Sequence, residues 1–144
     1  MGKLTTEDWV TVSDHLGDYC WKVDEGDAEG WVALWTEDGI FTGVKPEPVV
    51  GREQLRAIPT DAYRDFGRGQ MRHLVGNLTC RYGETRDVVK ARAYNQVSVW
   101  GGIHTAVSFC MALCEMTLVR HGDGWLIKRN DAHLLTSGGG LPGA

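Results

Sequence analysis

A chain of 144 residues, 42% apolar and 24% charged, fits one globular domain. Its 15 Lys and Arg against 19 Asp and Glu leave a net charge of −4 with no basic cluster, which argues against a nucleic-acid partner. No apolar run approaches the roughly 20 residues that span a bilayer. The opening MGKLTTEDW turns polar and acidic at once, unlike a secretory leader, so a cytoplasmic location is the expectation.

The elements follow in chain order. Thr6, with Glu7 and Asp8 in the first turn, starts a helix that runs to about Val23 with Val12, Leu16, Tyr19, Cys20 and Val23 on one face. Gly26 ends it, and Asp27 caps a short second helix carrying Ala28, Trp31, Val32, Leu34 and Trp35. Ile40–Val44 reads as a strand, Pro46 and Pro48 as a turn, and Arg52–Ile58 as a third short helix stopped by Pro59. Residues 60–69, polar with Tyr63 and Phe66, read as a loop or lid. Four long strands then follow at about 70–82, 88–100, 104–120 and 125–133, joined by Gly-containing turns as an antiparallel meander. Residues 137–144 look like a flexible tail behind a single domain of residues 1–136. Helices followed by a long sheet make an α+β fold, in which three helices on a curved antiparallel sheet enclose a conical pocket suited to a small-molecule substrate.

Cys20, Cys80, Cys110 and Cys114 form no CxxC pair and have no ligand-spaced His or Cys. Small buried core residues are expected, with no metal and no cofactor. Strand alternation sets Met71, His73, Val75 and Asn77 on one face, and Ala91, Ala93, Asn95, Val97 and Val99 on one face of the next strand. His73 and Asn95 are thus polar residues among apolar ones and need partners. The opposite face is expected to carry Arg92, Tyr94, Gln96, Ser98 and Trp100, beside Ala106, Ser108, Cys110, Ala112, Cys114 and Met116. That second set is small and apolar, which predicts a subunit contact in a homodimer or homotrimer.

Several stretches carry a resemblance. Tyr19–Asp27, Trp31–Phe41, Gly51-Arg-Glu-Gln-Leu55, Arg72-His73-Leu-Val-Gly-Asn77 and Gly122–Ile127 resemble the NTF2-like proteins of the SnoaL group over residues 5 to 134. Among them the chain is most similar to scytalone dehydratase-like and bile-acid dehydratase-like lyases, which place a Tyr, an Asp and a strand His around one pocket. The resemblance implies Tyr19, Asp24 and His73 as catalytic residues. The spacing of Tyr19 and Asp24 is that of the bile-acid group; the scytalone group has Tyr where this chain has Val23. Asn95-Gln96 stands where the bile-acid group has an Asp supporting the His, and His104 is the nearest match to a second pocket His. Asn95, Trp35, Phe41, Tyr63 and Asn130 are the candidate substrate-binding residues.

An Asp–His pair in a dry cavity can hold and move a proton near neutral pH. Tyr19 and Asn95 could polarise a substrate oxygen. The expected function is a cofactor-independent, dehydratase-type lyase acting on a small hydrophobic cyclic or aromatic alcohol or ketol. The alternatives are a formaldehyde-releasing lyase on lignin-derived aromatic dimers, a ketosteroid-isomerase-like isomerase using the Asp alone, and a non-catalytic small-ligand binding module. Whether Glu115, Arg129 or His133 reach the pocket is left open.

Overall fold

A computed structural model describes residues 2–66, 69–101 and 106–135. The expected tail at 137–144 and His104 lie outside the described residues. The described elements are helix α1 (Thr6–Glu25), α2 (Ala28–Val32), strand β1 (Trp35–Thr42), β2 (Val49–Val50), α3 (Gly51–Leu55), α4 (Ala57–Asp65), β3 (Met71–Tyr82), β4 (Val88–Trp100), β5 (Ala106–His121) and β6 (Gly124–Leu134). The sheet order is β2-β1-β6-β5-β4-β3. Strands β3 to β6 form the antiparallel meander, and β1 adds a parallel pair with β6.

Local chemistry explains the ends of α1. The Thr5 hydroxyl accepts the Asp8 N–H at 3.1 Å, and Gly26 closes the helix at φ 71°, a left-handed conformation natural to glycine. The Asp27 carboxylate likewise caps α2 through the Gly30 N–H. Helix α2 stops at Val32, and Trp35, expected within it, opens β1 instead. Pro59 does not end a helix. It occupies the first turn of α4, where its missing N–H costs nothing, and so residues 60–65 are helical rather than a loop.

The core lies between the sheet and the helices. Val12, Leu16, Tyr19, Cys20 and Val23 of α1 and Trp31 of α2 press on the inner sheet face. Opposite them stand Ala91, Ala93, Ala112, Cys114 and Met116, all buried. Register explains the grouping: Ala91 faces Met116, Ala93 faces Cys114 and Asn95 faces Ala112. This corrects part of the expected subunit surface, in which Ala106 and Ser108 are exposed as expected. Ala112, Cys114 and Met116 are inner-face residues covered by the protein's own helices, so they offer nothing to a second subunit. Trp9 and Trp21 on α1 are 40% and 60% exposed.

β3 is an edge strand with one bulge. Gly76 pairs with Tyr94 and Thr79 with Arg92, so β3 advances three residues while β4 advances two. Asn77 absorbs the difference at φ 53°. His73 and Val75 therefore share the inner face with Leu78, Cys80 and Tyr82, while Asn77 is exposed and does not share their face. No helix among the described residues is long and apolar enough to cross a membrane.

Candidate active site

Asp24 lies in the last turn of α1 and His73 near the start of β3. The helix packs along this edge of the sheet, which brings the two together. Asp24 is 3% exposed. Its Oδ2 accepts the backbone N–H of His73 at 2.9 Å, and its Oδ1 accepts from the ring Nδ1 at 2.6 Å. A carboxylate only accepts, so Nδ1 carries the hydrogen, and in the uncharged form of the ring the lone pair is on Nε2. Nε2 has no hydrogen-bond partner among the described residues. The backbone bond exists because β3 is an edge strand with N–H groups that no further strand takes up.

The pair opens on a groove of about 430 Å³ between α1 and β3. Leu16, Cys20 and Trp21 line it from the helix, and Arg72, Leu74 and Val75 from the strand. Cys20 stands one helical turn before Asp24. Burial pushes its thiol up to about 12, and the Asp24 and Cys114 side chains add to the shift, so it stays protonated.

Tyr19 does not line this groove. Its ring lies in the interior, 5.3 Å from Trp31 and 6.2 Å from Trp35 between centroids. The Asn130 amide donates to its hydroxyl at 3.4 Å. Burial holds the Tyr19 phenol well above its ordinary value, with Cys114 and Cys20 adding and Asn130 opposing. Phe41 stacks on Trp31 and Trp35, so Tyr19, Trp35, Phe41 and Asn130 form one buried cluster behind the pair. Asn95 occupies the inner face of β4 opposite Val75, with its Oδ1 buried and unpartnered among the described residues. The Oδ1 of Asn130 and the indole N–H groups of Trp31 and Trp35 are in the same position. Tyr63 is half-exposed on α4, against the backbone of Gly26 and Gly69, two residues after Asp24 and four before His73.

The structure thus brings Asp24 and His73 into contact and places Tyr19, Asn95, Trp35, Phe41 and Asn130 in the interior, with Tyr63 at the rim. Glu115 and His133 meet each other at 3.4 Å, both more than half exposed, and Arg129 pairs with Asp131. None of these three lines the groove. Trp21, Arg72 and Leu74 were missed as groove residues. The available signal was their closeness in sequence to Asp24 and His73, but only the edge position of β3 gives both faces of that strand access to the groove. Among the described residues no group of three or more His, Cys, Asp and Glu is placed to hold a metal ion.

An antiparallel meander, helices over one face and a buried Asp–His pair at the edge define an NTF2-like, cystatin-like fold with a candidate acid–base site. The chain belongs to the SnoaL-like domain family, whose profile matches residues 5–131. No curated protein matches its sequence. Among solved structures it is similar to an NTF2-like protein with a cystatin-like fold from Novosphingobium aromaticivorans, at 26% identity and TM-score 0.77, covering 92% of this chain and 84% of that one. It is also similar in fold to Aln2 from a Streptomyces species, at 19% identity and TM-score 0.84, covering 92% and 94%. A third is a protein provisionally named scytalone dehydratase from N. aromaticivorans, at 17% identity and TM-score 0.76, covering 92% and 89%.

Proposed function

We propose that this SnoaL-like protein is a lyase that removes water from a small hydrophobic cyclic or aromatic alcohol or ketol. The observation that carries the reading is the Asp24–His73 contact opening on an apolar groove. In the proposed step His73 Nε2 takes the proton from the carbon next to a carbonyl. The C–H electron pair moves into the enolate, collapse of the enolate forms the C=C bond, and the C–O bond at the β-carbon breaks. The imidazolium returns its proton to the departing hydroxyl, which leaves as water. Asp24 fixes the tautomer and stabilises the transient imidazolium.

Tyr19, Asn95 and Asn130 supply the polar atoms of the interior, Trp35 and Phe41 its apolar wall, and Tyr63 the rim. The family match and the fold neighbour named for dehydratase activity support this class of reaction. The test is a panel of cyclic β-hydroxyketones followed by enone absorbance and the mass loss of water. Turnover by the wild type that disappears in His73→Ala supports the reading. Turnover unchanged in His73→Ala rejects it.

One observation favours a second reading. Tyr19, Trp31, Trp35 and Phe41 fill much of the interior with side chains, as expected of a small-ligand binding module. That reading requires binding without turnover across the same panel.

A further inference from the structure

Resting on the reading of the groove as the substrate site, we infer that its ligand is a flat aromatic molecule carrying an acidic group, held by Trp21, Leu74 and Arg72. The groove is flanked by two large apolar side chains that nothing in the described chain covers. Trp21 on α1 is 60% exposed and Leu74 on β3 is 61% exposed. Both line the groove that holds Asp24 and His73. Their exposure on opposite sides of one groove is what a planar apolar ligand fits.

Arg72 supplies the charge. Its Nη1 donates to the carbonyls of Gly69 at 2.8 Å and Met71 at 2.7 Å. The guanidinium also lies over the Trp100 ring, 5.2 Å from its centroid. These contacts fix the group in place while using only one of its nitrogens. Nε and Nη2, the edge of the guanidinium that pairs side-on with a carboxylate, have no hydrogen-bond partner among the described residues. No described carboxylate forms an ion pair with Arg72, whereas Arg56 and Arg129 each have one and Arg64 and Arg120 two. A pre-positioned, unpaired guanidinium next in sequence to His73 selects an anionic group on the ligand without first having to order its own side chain.

The probes are 2-naphthoate and 2-naphthalenemethanol, which share a ring system and differ in charge. Their dissociation constants are measured by calorimetry on the wild type, Arg72→Gln, Arg72→Lys, Trp21→Ala and His73→Ala, each checked for an unchanged melting temperature. The wild type should bind the naphthoate at least about tenfold tighter than the alcohol. Arg72→Gln should bring that ratio to about one. Arg72→Lys, which keeps the charge and loses the side-on pair, should fall between, and it decides the matter if the Gln variant does not fold. Trp21→Ala should weaken both probes about fivefold or more. Equal binding of the two probes by the wild type, no binding of either at millimolar concentration, or a full naphthoate preference in the Arg72 variants would overturn the inference. His73→Ala separates the two readings. If it retains the naphthoate preference and also full turnover, the ligand class stands and the acid–base mechanism falls.

Discussion

Asp24→Asn is the substitution that most directly tests the site, because both carboxylate oxygens are engaged with donors. The ring Nδ1–H is 2.6 Å from one and the backbone N–H 2.9 Å from the other. An Asn offers one acceptor and one NH₂ group. Whichever way it turns, a donor then faces a donor. If the amide oxygen keeps the backbone N–H, the NH₂ faces Nδ1 and forces the ring into its other tautomer, with hydrogen on Nε2 and no base left there. The wrong tautomer behind an otherwise intact site costs about 10⁴-fold in kcat in the Ser-His-Asp setting. A loss of at least about 10³-fold is expected here.

The effect on stability is smaller. A charge-assisted bond is worth about 1.5–3 kcal/mol, and relief from burying a carboxylate offsets part of that. The net loss should be about 1–2 kcal/mol, or roughly 3–8 °C in Tm for a domain of this size. Two assays check the argument. Enone formation reports kcat, and long-range proton–nitrogen NMR of the His73 ring reports the tautomer without needing a substrate. A folded Asp24→Asn protein with the hydrogen still on Nδ1 and kcat within about tenfold of the wild type would refute it.

Three further outcomes are expected. Tyr19→Phe removes a hydroxyl whose partner is the Asn130 amide, so it should cost about 1 kcal/mol in urea unfolding, and because the phenol lies outside the groove kcat should change by less than about tenfold; a larger loss of kcat would show that substrate reaches the interior. Burial lowers the pKa of His15 below 6.5, against the Leu34 carbonyl at 3.0 Å and the Asp18 charge. The unfolded chain therefore takes up a proton first, and this contribution to stability is present above pH 6.5 and lost as pH falls from there through the folded pKa; His15→Gln should flatten that part of the pH–stability curve, and an unchanged slope rejects the assignment. At Gly43, φ is +89° and a Cβ would come within 1.8 Å of the Ala132 carbonyl oxygen, whereas a Cβ at Gly76 meets nothing within 4 Å; Gly43→Ala should cost at least about 3 kcal/mol in chemical denaturation and Gly76→Ala less than about 1 kcal/mol.

The order of elements was legible because its signals are local. Thr5 and Thr6 with Glu7 and Asp8, Gly26 and Asp27 are capping chemistry, and capping depends on a few adjacent residues. Pro59 misled for the same reason: a proline reads as a stop, yet in a helix's first turn it is tolerated, and only the chain's path decides which applies. The Asp24–His73 contact was legible through the family resemblance and the inward phase of His73. The faces of β5 were not. Its sequence is apolar on both sides, and the small residues Ala112, Cys114 and Met116 were expected on the outer face. Tyr19 and Trp31 of the helices and Trp35 of β1 fill the core, leaving room opposite only for Ala112, Cys114 and their small neighbours. Which residues fit a core depends on what comes from the other side, and no single strand contains that information.

The extra residue at Asn77 acts as a phase slip that divides β3 into two independently set halves. Ahead of it, odd-numbered residues face inward and carry His73. Behind it, even-numbered residues do, ending in Tyr82, whose hydroxyl bonds Asp8 near the start of α1. Were Asn77 regularly paired instead, it would take the inward position and turn Leu78, Cys80 and Tyr82 outward, detaching the start of α1 from the sheet while the contact at the helix's other end stayed in phase. The site and the anchor of its helix are thus specified by separate stretches of one strand. Substitutions that reshape the groove around His73 can accumulate without resetting the contacts that hold α1 in position.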